Sequence, residues 1–275
     1  MKRPIPVHIP SVPVNEDVTV TDLQTRLEAA CRIATEASPV ALQRFRGALD
    51  VESKADESPV TIADKETERA VRTALEAAFP GETIFGEEFG QTGTQNEIWI
   101  VDPIDGTRSF ITGLPLFGML LGYVAEGAVK LGVINMPALG ELYAGAHGIG
   151  ATMNGAPISV SNSQSLSSAR LLLNEADKMA VDAPTQFSRM ITAGALRRLG
   201  ADCYPHALVA SGHADAVVDY GLQPYDYLPV AAVVEAAGGV MTDWEGNALT
   251  LTSDGRTLTA ATPELHSDLL ELVRL

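Results

Sequence analysis

The chain has 275 residues, of which 46% are hydrophobic, so it can bury a substantial core as one large domain or two small ones. Its formal net charge of −16 argues against nucleic acid or an anionic membrane as the main partner, because both are bound through basic surfaces. Cys31 and Cys203 are too few for a secreted disulfide framework, which favours buried free thiols and a cytoplasmic protein.

An extended arm and an amphipathic helix are predicted at the start of the chain. Residues 1–18 contain four prolines among valines and isoleucines, so they cannot form the continuous apolar segment of a signal peptide or membrane anchor. After this arm, apolar residues recur at helical spacing: Leu23, Leu27, Ala30, Cys31 and Ala34. Thr21 and Asp22 are candidate caps, and Ser38 with Pro39 is expected to interrupt or restart the helix.

A second helix is predicted from about Asp64, where that aspartate is a candidate cap. An apolar face and a stop signal define its course: Val71, Leu75 and Phe79, then Pro80 and Gly81. A short apolar strand over residues 83–85 follows. The acidic motif Gly86-Glu87-Glu88 comes directly after that strand.

The segment WIVDPIDGT holds two carboxylates, Asp102 and Asp105, three residues apart where an apolar strand gives way to a turn. The strand is predicted over residues 98–101 and ends at Pro103, and Gly106 allows a tight turn into a new helix. Such oxygen clusters suit hard divalent cations, and the N–H groups of a helix start attract phosphate. The alternative is a solvated Asp-Gly turn with an aspartate that caps the helix.

The rest of the chain first alternates strands with turns and then strands with helices. Strand-like runs at 116–125, 128–136, 141–145 and 158–160 predict a mainly antiparallel sheet. From about Arg170, strands at 171–173, 216–219, 240–242 and 258–261 alternate with helices near 204–211, 226–237 and 263–273. Alternation of this kind is typical of a sheet covered on both faces. Asp226 opens the second of these helices.

Together these segments resemble the motif set of the inositol monophosphatase-like family, metal-dependent phosphomonoesterases related to fructose-1,6-bisphosphatase. The similarity runs from about Thr21 over nearly the whole chain, and the three acidic motifs in this order are hard to obtain by chance. The resemblance implies an α/β fold, a layered α-β-α-β-α sandwich. Residues 19–165 would carry most metal ligands, and residues 166–275 would carry Asp226 and the substrate pocket.

The resemblance also implies a site for two to three Mg²⁺ ions. Glu87, Asp102 and the backbone carbonyl of Ile104 would hold the first ion. Asp102, Asp105 and Asp226 would hold the second, and a third, weaker ion would lie near Glu87. Bound cations would neutralise the phosphate and the charge that develops on the leaving alkoxide. Li⁺ is expected to inhibit by occupying one of these positions.

In the family pattern a metal-activated water molecule is the nucleophile, and Glu88 and Thr107 orient it. Asp64 would be hydrogen-bonded to Thr107, and Gly106 and Thr107 would contact the substrate. Lys54 matches a family lysine near the active site. A structural interpretation stays open for three of the predicted site residues, because Asp64, Thr107 and Asp226 could each cap its own helix.

The predicted substrate pocket departs from the inositol-specific pattern. Arg108-Ser109-Phe110 follows the DGT turn, and GLQPYD stands where inositol-type enzymes usually carry Trp-Asp. With RRLGADCYPHALVASGHADAVVDYG, these features resemble the histidinol-phosphate phosphatase branch, in which Asp202, Asp219 and Glu175 would face the non-phosphate end of the substrate. Histidinol carries an ammonium and an imidazole, both of which donate hydrogen bonds to carboxylates. The alternative for Asp202 is a plain loop carboxylate.

We therefore expect a cytoplasmic, magnesium-dependent enzyme that hydrolyses L-histidinol phosphate in histidine biosynthesis. Hydrolysis of inositol 1-phosphate, or of other sugar or nucleotide phosphates, is the alternative within this class. A catalytically silent dimeric scaffold is the alternative from another class, but converging carboxylates without cations would be destabilising. The expected partners are a small phosphate ester and, as the resemblance implies, a second copy of the chain.

Overall fold

The computed structural model describes residues 19–47, 51–53 and 59–274; the predicted arm over residues 1–18 and Lys54 lie outside them. The helices are α1 Val20–Arg44, α2 Ile62–Ala78, α3 Thr107–Thr112, α4 Ala176–Asp182, α5 Pro184–Met190, α6 Tyr204–Ala210, α7 Pro224–Ala236 and α8 Pro263–Val273. The strands that precede the predicted domain boundary at residues 165 and 166 are β1 Val51–Ser53, β2 Pro59–Thr61, β3 Thr83–Gly86, β4 Gly90–Thr92, β5 Ile98–Asp105, β6 Gly118–Ala125, β7 Ala128–Met136, β8 Glu141–Ala146, β9 Gly150–Met153 and β10 Ala156–Ile158. Those after it are β11 Arg170–Leu173, β12 Leu196–Leu199, β13 Ala216–Asp219, β14 Val240–Asp243 and β15 Thr257–Ala260.

The larger sheet has eight strands in the order β10-β9-β8-β7-β6-β5-β3-β4. Its neighbouring strands are antiparallel except for β3 and β5, which are parallel. Successive side chains point to opposite faces, as a pleated strand requires. Trp99 and Val101 pack with α1 and α2, whereas Ile98 and Ile100 pack with α7. This sheet is therefore buried on both faces.

The smaller sheet has five strands in the order β12-β11-β13-β15-β14. Leu171 and Val218 pack with α4, α5 and α8 on one face, and Leu172 and Val217 pack with α6 on the other. The layers run helices, sheet, helices, sheet, helices, which confirms the predicted α-β-α-β-α sandwich. The predicted boundary between residues 165 and 166 falls between β10 and β11; the division into domains stays a prediction.

Pro39 does not interrupt the first helix, so that prediction was wrong. Helix α1 runs unbroken from Val20 to Arg44 with Pro39 inside it. A proline in a helix removes one backbone hydrogen bond, here the one to the carbonyl four residues earlier. Both Pro39 and Thr35 lie on the exposed face, where water can satisfy that carbonyl, while Ala37 and Ala41 on either side are buried. Packing of the buried face holds the helix together.

Pro103 does not end the strand that precedes the acidic turn. Strand β5 continues to Asp105, and its register with β6 shifts between Asp102 and Asp105, after which Asp105 pairs with Gly118. A bulge of this kind accommodates a residue that has no N–H to donate to the ladder. The two acidic residues are therefore presented by a bulged strand end and not by a loop.

Smaller differences concern the ends of elements and short segments. The cap of α1 is Thr19, whose hydroxyl accepts a hydrogen bond from the N–H of Asp22 at 3.2 Å, and not Thr21 or Asp22. The predicted strand at 158–160 overlaps β10, Ala156–Ile158, only at Ile158. Seven of the elements named above have no counterpart among the predicted ones: helices α4 and α5 and strands β1, β2, β4, β9 and β12. None of the helices in the described part of the chain is at once long and apolar enough to cross a lipid bilayer.

Candidate active site

The end of β5 presents its acidic residues through a turn that the sequence shapes locally. Asp102 Oδ1 accepts a hydrogen bond from the N–H of Ile104 at 2.9 Å. Gly106 has a φ of 84°, in the left-handed region, and a Cβ built there would lie 2.6 Å from Asp202 Cγ. Any side chain at this position would be strained and would collide with Asp202, which explains the glycine. Helix α3 begins at Thr107, with Gly106 as its cap, so Thr107 is not the cap.

Asp226 enters the site from the first turn of α7. Gln223 caps this helix, and Asp226 Oδ2 accepts a hydrogen bond from the Gln223 N–H at 2.7 Å. A carboxylate in the first turn is favoured by the unpaired N–H groups there. Asp226 thus stabilises the start of its helix, and its carboxylate also belongs to the acidic cluster described next.

Asp102, Asp105 and Asp226 converge on one point. Oxygen atoms of the three side chains lie within 4.8 Å of one another. Burial and repulsion from Glu87 raise the pKa of Asp102 well above its ordinary value, and burial and repulsion from Asp226 do the same for Asp105. Burial raises the pKa of Asp226 to about 6. An all-oxygen donor set with mutual repulsion fits a hard divalent cation, whose charge would offset that repulsion.

The two glutamates of the first motif follow β3. The Glu87 N–H donates to the carbonyl of Val101 at 3.1 Å, so this turn lies beside the end of β5. Glu87 lines the same pocket as Asp105 and Asp226. Glu88 is partly buried, and its backbone N–H donates to Glu68 Oε2 at 2.6 Å.

Asp64 is not the cap of α2, because that helix begins at Ile62 and Thr61 caps it, but its side chain both takes part in the cap and lies near Thr107. It is the third residue of a capping box, in which its Oδ2 accepts from the N–H of Thr61 at 2.8 Å and from the Thr61 hydroxyl at 2.6 Å. Its other oxygen, Oδ1, lies 3.3 Å from Thr107 Oγ1. The Thr107 hydroxyl is also 3.3 Å from the carbonyl of Ile104, so its proton has two available acceptors.

The acidic cluster borders a cavity of about 170 Å³. Eight of the predicted site residues line it: Glu87, Asp105, Gly106, Thr107, Glu175, Asp202, Asp219 and Asp226. Asp102 and Ile104 are buried behind it. Residues that the sequence analysis did not assign to the site also line it: Asn174, Lys178, His206 and Leu222. Both sheets and the helices between them therefore contribute to one cavity.

Asp202 and Asp219 form the wall of the cavity that comes from the smaller sheet and α6. Asp202 Oδ2 accepts a hydrogen bond from Ser109 Oγ at 2.5 Å. Asp219 Oδ2 accepts one from Asn174 Nδ2 at 2.7 Å and lies 3.2 Å from His206 Nε2, while Oδ1 accepts the N–H of Tyr220 at 2.8 Å. Burial raises the pKa of Asp202, although the Ser109 hydroxyl opposes this. Both carboxylates are held in fixed orientations.

Asn174 and His206, which hold Asp219, were not among the residues predicted from the sequence. His206 is buried, with Nδ1 3.0 Å from Thr259 Oγ1 and Nε2 toward Asp219. His206 lies in the segment CYPHAL, and nothing in these neighbouring residues distinguishes it from an ordinary histidine of a protein core. The hydrogen bonds that identify it join residues 13 and 53 positions apart.

Glu175 reaches the cavity with cations beside it. Its carboxylate pairs with Lys178 and lies 3.8 Å from Arg108, which also pairs with Asp177 at 3.3 Å. The negative charge of Glu175 is therefore partly balanced within the protein. In contrast, no lysine or arginine among the described residues forms an ion pair with Asp202 or Asp219.

Comparisons with known proteins agree with this geometry. The sequence matches the profile of the Inositol monophosphatase family over residues 22–275. It is 41% identical over 252 residues to the histidinol-phosphatase of Chlorobaculum parvum, covering 90% of this chain and 96% of the relative. It is 35% identical over 232 residues to the histidinol-phosphatase of Mycobacterium tuberculosis, covering 80% and 88%. The structure of an inositol monophosphatase from Zymomonas mobilis superimposes with a TM-score of 0.83 at 34% identity, covering 92% and 98%.

Proposed function

Because the chain belongs to the inositol monophosphatase family, we propose that this phosphatase is a magnesium-dependent phosphomonoesterase that hydrolyses L-histidinol phosphate. The observation that carries the choice of substrate is the pair Asp202 and Asp219 in the cavity beside the acidic cluster. Asp219 is buried and Asp202 partly buried, and neither carboxylate pairs with a lysine or arginine of the described residues, so they favour a ligand group that brings a positive charge. Inhibition by Li⁺, a cytoplasmic location and a homodimer belong to the same proposal.

The acidic residues would hold the cations and the phosphate end of the substrate. Glu87, Asp102, the carbonyl of Ile104, Asp105 and Asp226 would be the ligands. When bound, the cations would neutralise the phosphate and lower the pKa of the attacking water molecule. The chain's own contribution is to orient that molecule, through Glu88 and through the Thr107 hydroxyl, which is held near Asp64. The products are inorganic phosphate and the alcohol.

The other end of the cavity would bind the amino alcohol. Histidinol carries an ammonium and an imidazole, both of which can donate hydrogen bonds to Asp202 and Asp219. The His206 and Asn174 side chains hold Asp219 in place, so the carboxylate needs no rearrangement to receive a donor. Glu175 is already paired with Lys178, so we assign it a lesser part in binding.

Steady-state kinetics at saturating MgCl₂ test this proposal. Wild-type protein should show a higher kcat/KM for L-histidinol phosphate than for inositol 1-phosphate. Asp202→Asn should lower kcat/KM for the histidinol ester roughly 10- to 150-fold. This factor corresponds to a loss of about 1.5–3 kcal/mol of transition-state stabilisation, as expected for a hydrogen bond to a charged group. The decrease for the inositol ester should be much smaller, because its alcohol is neutral.

Asp182→Asn is the matched control for Asp202→Asn. Asp182 is an exposed residue at the end of α4 and does not line the cavity, so its substitution makes the same change in net charge. We expect its kinetics to match those of the wild type with both esters. A wild-type preference for the inositol ester, or equal decreases in Asp202→Asn with both esters, would contradict the histidinol assignment.

Inositol 1-phosphate hydrolysis is the second candidate, and the similarity to the Zymomonas mobilis inositol monophosphatase favours it. The same panel of esters separates the two candidates. The silent scaffold predicts no release of phosphate from any ester, with or without Mg²⁺. The converging carboxylates argue against it, because they are destabilising unless a cation or a proton neutralises them.

A further inference from the structure

Glu68 is a buried carboxylate that has no place in the metal or substrate sites described above. It lies on α2 and its side chain is fully buried. An ionised carboxylate in such a place is stable only when it is well paired and hydrogen-bonded. The arrangement of its partners therefore indicates what the residue does.

The partners of Glu68 belong to the turn that carries Glu87 and Glu88. Its Oε2 accepts the N–H of Glu88 at 2.6 Å, and its Oε1 accepts the N–H of Phe89 at 3.3 Å. A Cβ at Gly86 would lie 2.1 Å from Glu68 Oε1, so the carboxylate lies directly against the backbone that leads into the turn. Glu68 thus contacts the turn before, within and after the two glutamates.

Arg72 connects Glu68 to the residues that follow the turn. Its Nε donates to Glu68 Oε1 at 2.7 Å, its Nη2 to the carbonyl of Gly90, and its Nη1 to Thr92 Oγ1 at 3.0 Å. A guanidinium with several fixed donors holds such a group of acceptors in one geometry. Glu68 and Arg72 together connect α2 to both ends of the segment that carries Glu87 and Glu88.

Helix α2 reaches the second half of the site through Asp64, one turn before Glu68. Residues four apart lie on the same face of a helix. Asp64 approaches the Thr107 hydroxyl, and Glu68 holds the turn after β3. Strands β3 and β5 are parallel neighbours with Gly86 opposite Val101, so the two turns leave the sheet side by side. One helix face therefore contacts both of the acidic turns.

We propose that Glu68 is a positioning residue, which sets the place of Glu87 and Glu88 relative to Asp102 and thereby the affinity of the site for divalent cations. This inference rests on the proposed metal dependence but not on the choice of substrate. Replacing a residue that orients a metal ligand without contacting the metal itself typically changes metal affinity or activity by about 10- to 100-fold.

The test is Mg²⁺ binding by isothermal titration calorimetry on the metal-free full-length protein, together with the Mg²⁺ dependence of phosphate release. Glu68→Gln keeps the size of the side chain, but its amide group replaces one acceptor oxygen with a donor that faces N–H groups. We expect the Kd for Mg²⁺ to rise by about tenfold or more. The KM for the ester at saturating Mg²⁺ should stay close to that of the wild type.

Glu82→Gln is the matched control, because Glu82 is also a glutamate that pairs with an arginine. It accepts from Arg26 at 2.8 and 2.9 Å and from the indole N–H of Trp99 at 2.8 Å, at the other end of β3. We expect Glu82→Gln to lower the Tm and to leave the Kd for Mg²⁺ unchanged. An equal rise of the Kd in both variants, or an unchanged Kd in Glu68→Gln, would show a merely structural role and overturn the proposal.

Arg72→Lys covers the case in which Glu68→Gln does not fold. It keeps a cation beside Glu68 and removes the fork of donors to Gly90 and Thr92, so the Kd for Mg²⁺ should rise above that of the wild type. An unchanged Kd would overturn the proposal. Calorimetry also separates this inference from the proposed function. A wild type that binds Mg²⁺ but hydrolyses no ester would contradict the function and leave the effect of Glu68 on the Kd measurable.

Discussion

Asp102 combines two tasks in one side chain. Its Oδ1 shapes the turn by accepting the Ile104 N–H, and its carboxylate is one of the three that converge in the acidic cluster. An asparagine can keep the first task, since its carbonyl oxygen also accepts an N–H, but it removes the negative charge. The two tasks can therefore be separated by one substitution.

Asp102→Asn should lower kcat at saturating Mg²⁺ by more than about 100-fold, because loss of a direct ligand exceeds the effect of residues that only orient ligands. The Tm measured in EDTA should be equal to or higher than that of the wild type, since repulsion with Glu87 and Asp105 is reduced. Retention of a tenth or more of the wild-type kcat would show that Asp102 is not a ligand.

Two residues that line the cavity are in an unusual backbone conformation. Glu175 has a φ of 47° and Asp202 a φ of 52°, both in the left-handed region. Of the described residues other than glycine, only three more share it: Arg46, Glu126 and Asn154. Such conformations are destabilising by about 1 kcal/mol or more and persist where the surrounding structure enforces them. Their presence in the cavity wall is consistent with a binding role for that wall.

Asp215 connects the elements of the smaller sheet. It precedes β13, and its Oδ1 accepts from Ser161 Oγ at 2.5 Å and from Arg170 Nη2 at 2.7 Å. Its Oδ2 accepts the N–H of Arg170, the first residue of β11, at 2.7 Å. Burial alone would raise the pKa of Asp215, but the hydrogen bonds from Arg170 and Ser161 outweigh it and lower the pKa below the ordinary value.

Asp215→Asn should lower the free energy of unfolding at pH 7 by about 1–3 kcal/mol, the effect of losing charged hydrogen bonds. A carboxylate whose pKa is lower in the folded state stabilises the fold above its unfolded pKa, and that stabilisation is lost as the pH falls. The difference between wild type and variant should therefore shrink below about pH 4. Urea unfolding at several pH values measures this difference in the free energy of unfolding. Asp254→Asn, at an exposed position, is the control. A difference between wild type and Asp215→Asn that does not change with pH would contradict the prediction.

The assembly of the whole molecule brings together acidic groups that the unfolded chain keeps apart. Asp102 and Asp105 come from the larger sheet, and Asp226 comes from the helix layer between the sheets. In the metal-free protein these carboxylates have raised pKa values, about 6 for Asp226. Because the folded state binds more protons than the unfolded one, stability of the metal-free protein should fall as the pH rises from about 4 through 6.

Divalent cations should restore the stability that the protein loses as the pH rises, because they neutralise the ionised carboxylates of the acidic cluster as bound protons do at lower pH. The Tm increase caused by MgCl₂ should be larger at pH 7.5 than at pH 5, and Mg²⁺ at about 100 times its Kd should stabilise the fold by about 2.7 kcal/mol. Thermal unfolding in EDTA and in MgCl₂ measures the effect. NaCl at matched ionic strength is the control, since the net charge of −16 also responds to screening. An equal increase with NaCl would contradict specific binding.

The sequence by itself determined the family resemblance, which implied the layered fold, and the identity of the carboxylates in the acidic cluster. These depend on contiguous signals: a strand, a turn with Gly106, and a carboxylate such as Asp226 in the first turn of a helix. Short-range geometry is set by neighbouring residues, so such segments can be interpreted without knowing what packs against them. The assigned catalytic and substrate roles stay predictions.

Only the tertiary structure decided which distant residues support the site. His206 beside Asp219 and Glu68 beside Glu88 are contacts between separate elements, and no local pattern marks them. The same reason explains the two wrong expectations at prolines. Local preference indicated a break at Pro39 and at Pro103, but burial of α1 against the sheet and the pairing of β5 with β6 outweighed it. Long-range packing, which a sequence pattern does not contain, made these choices.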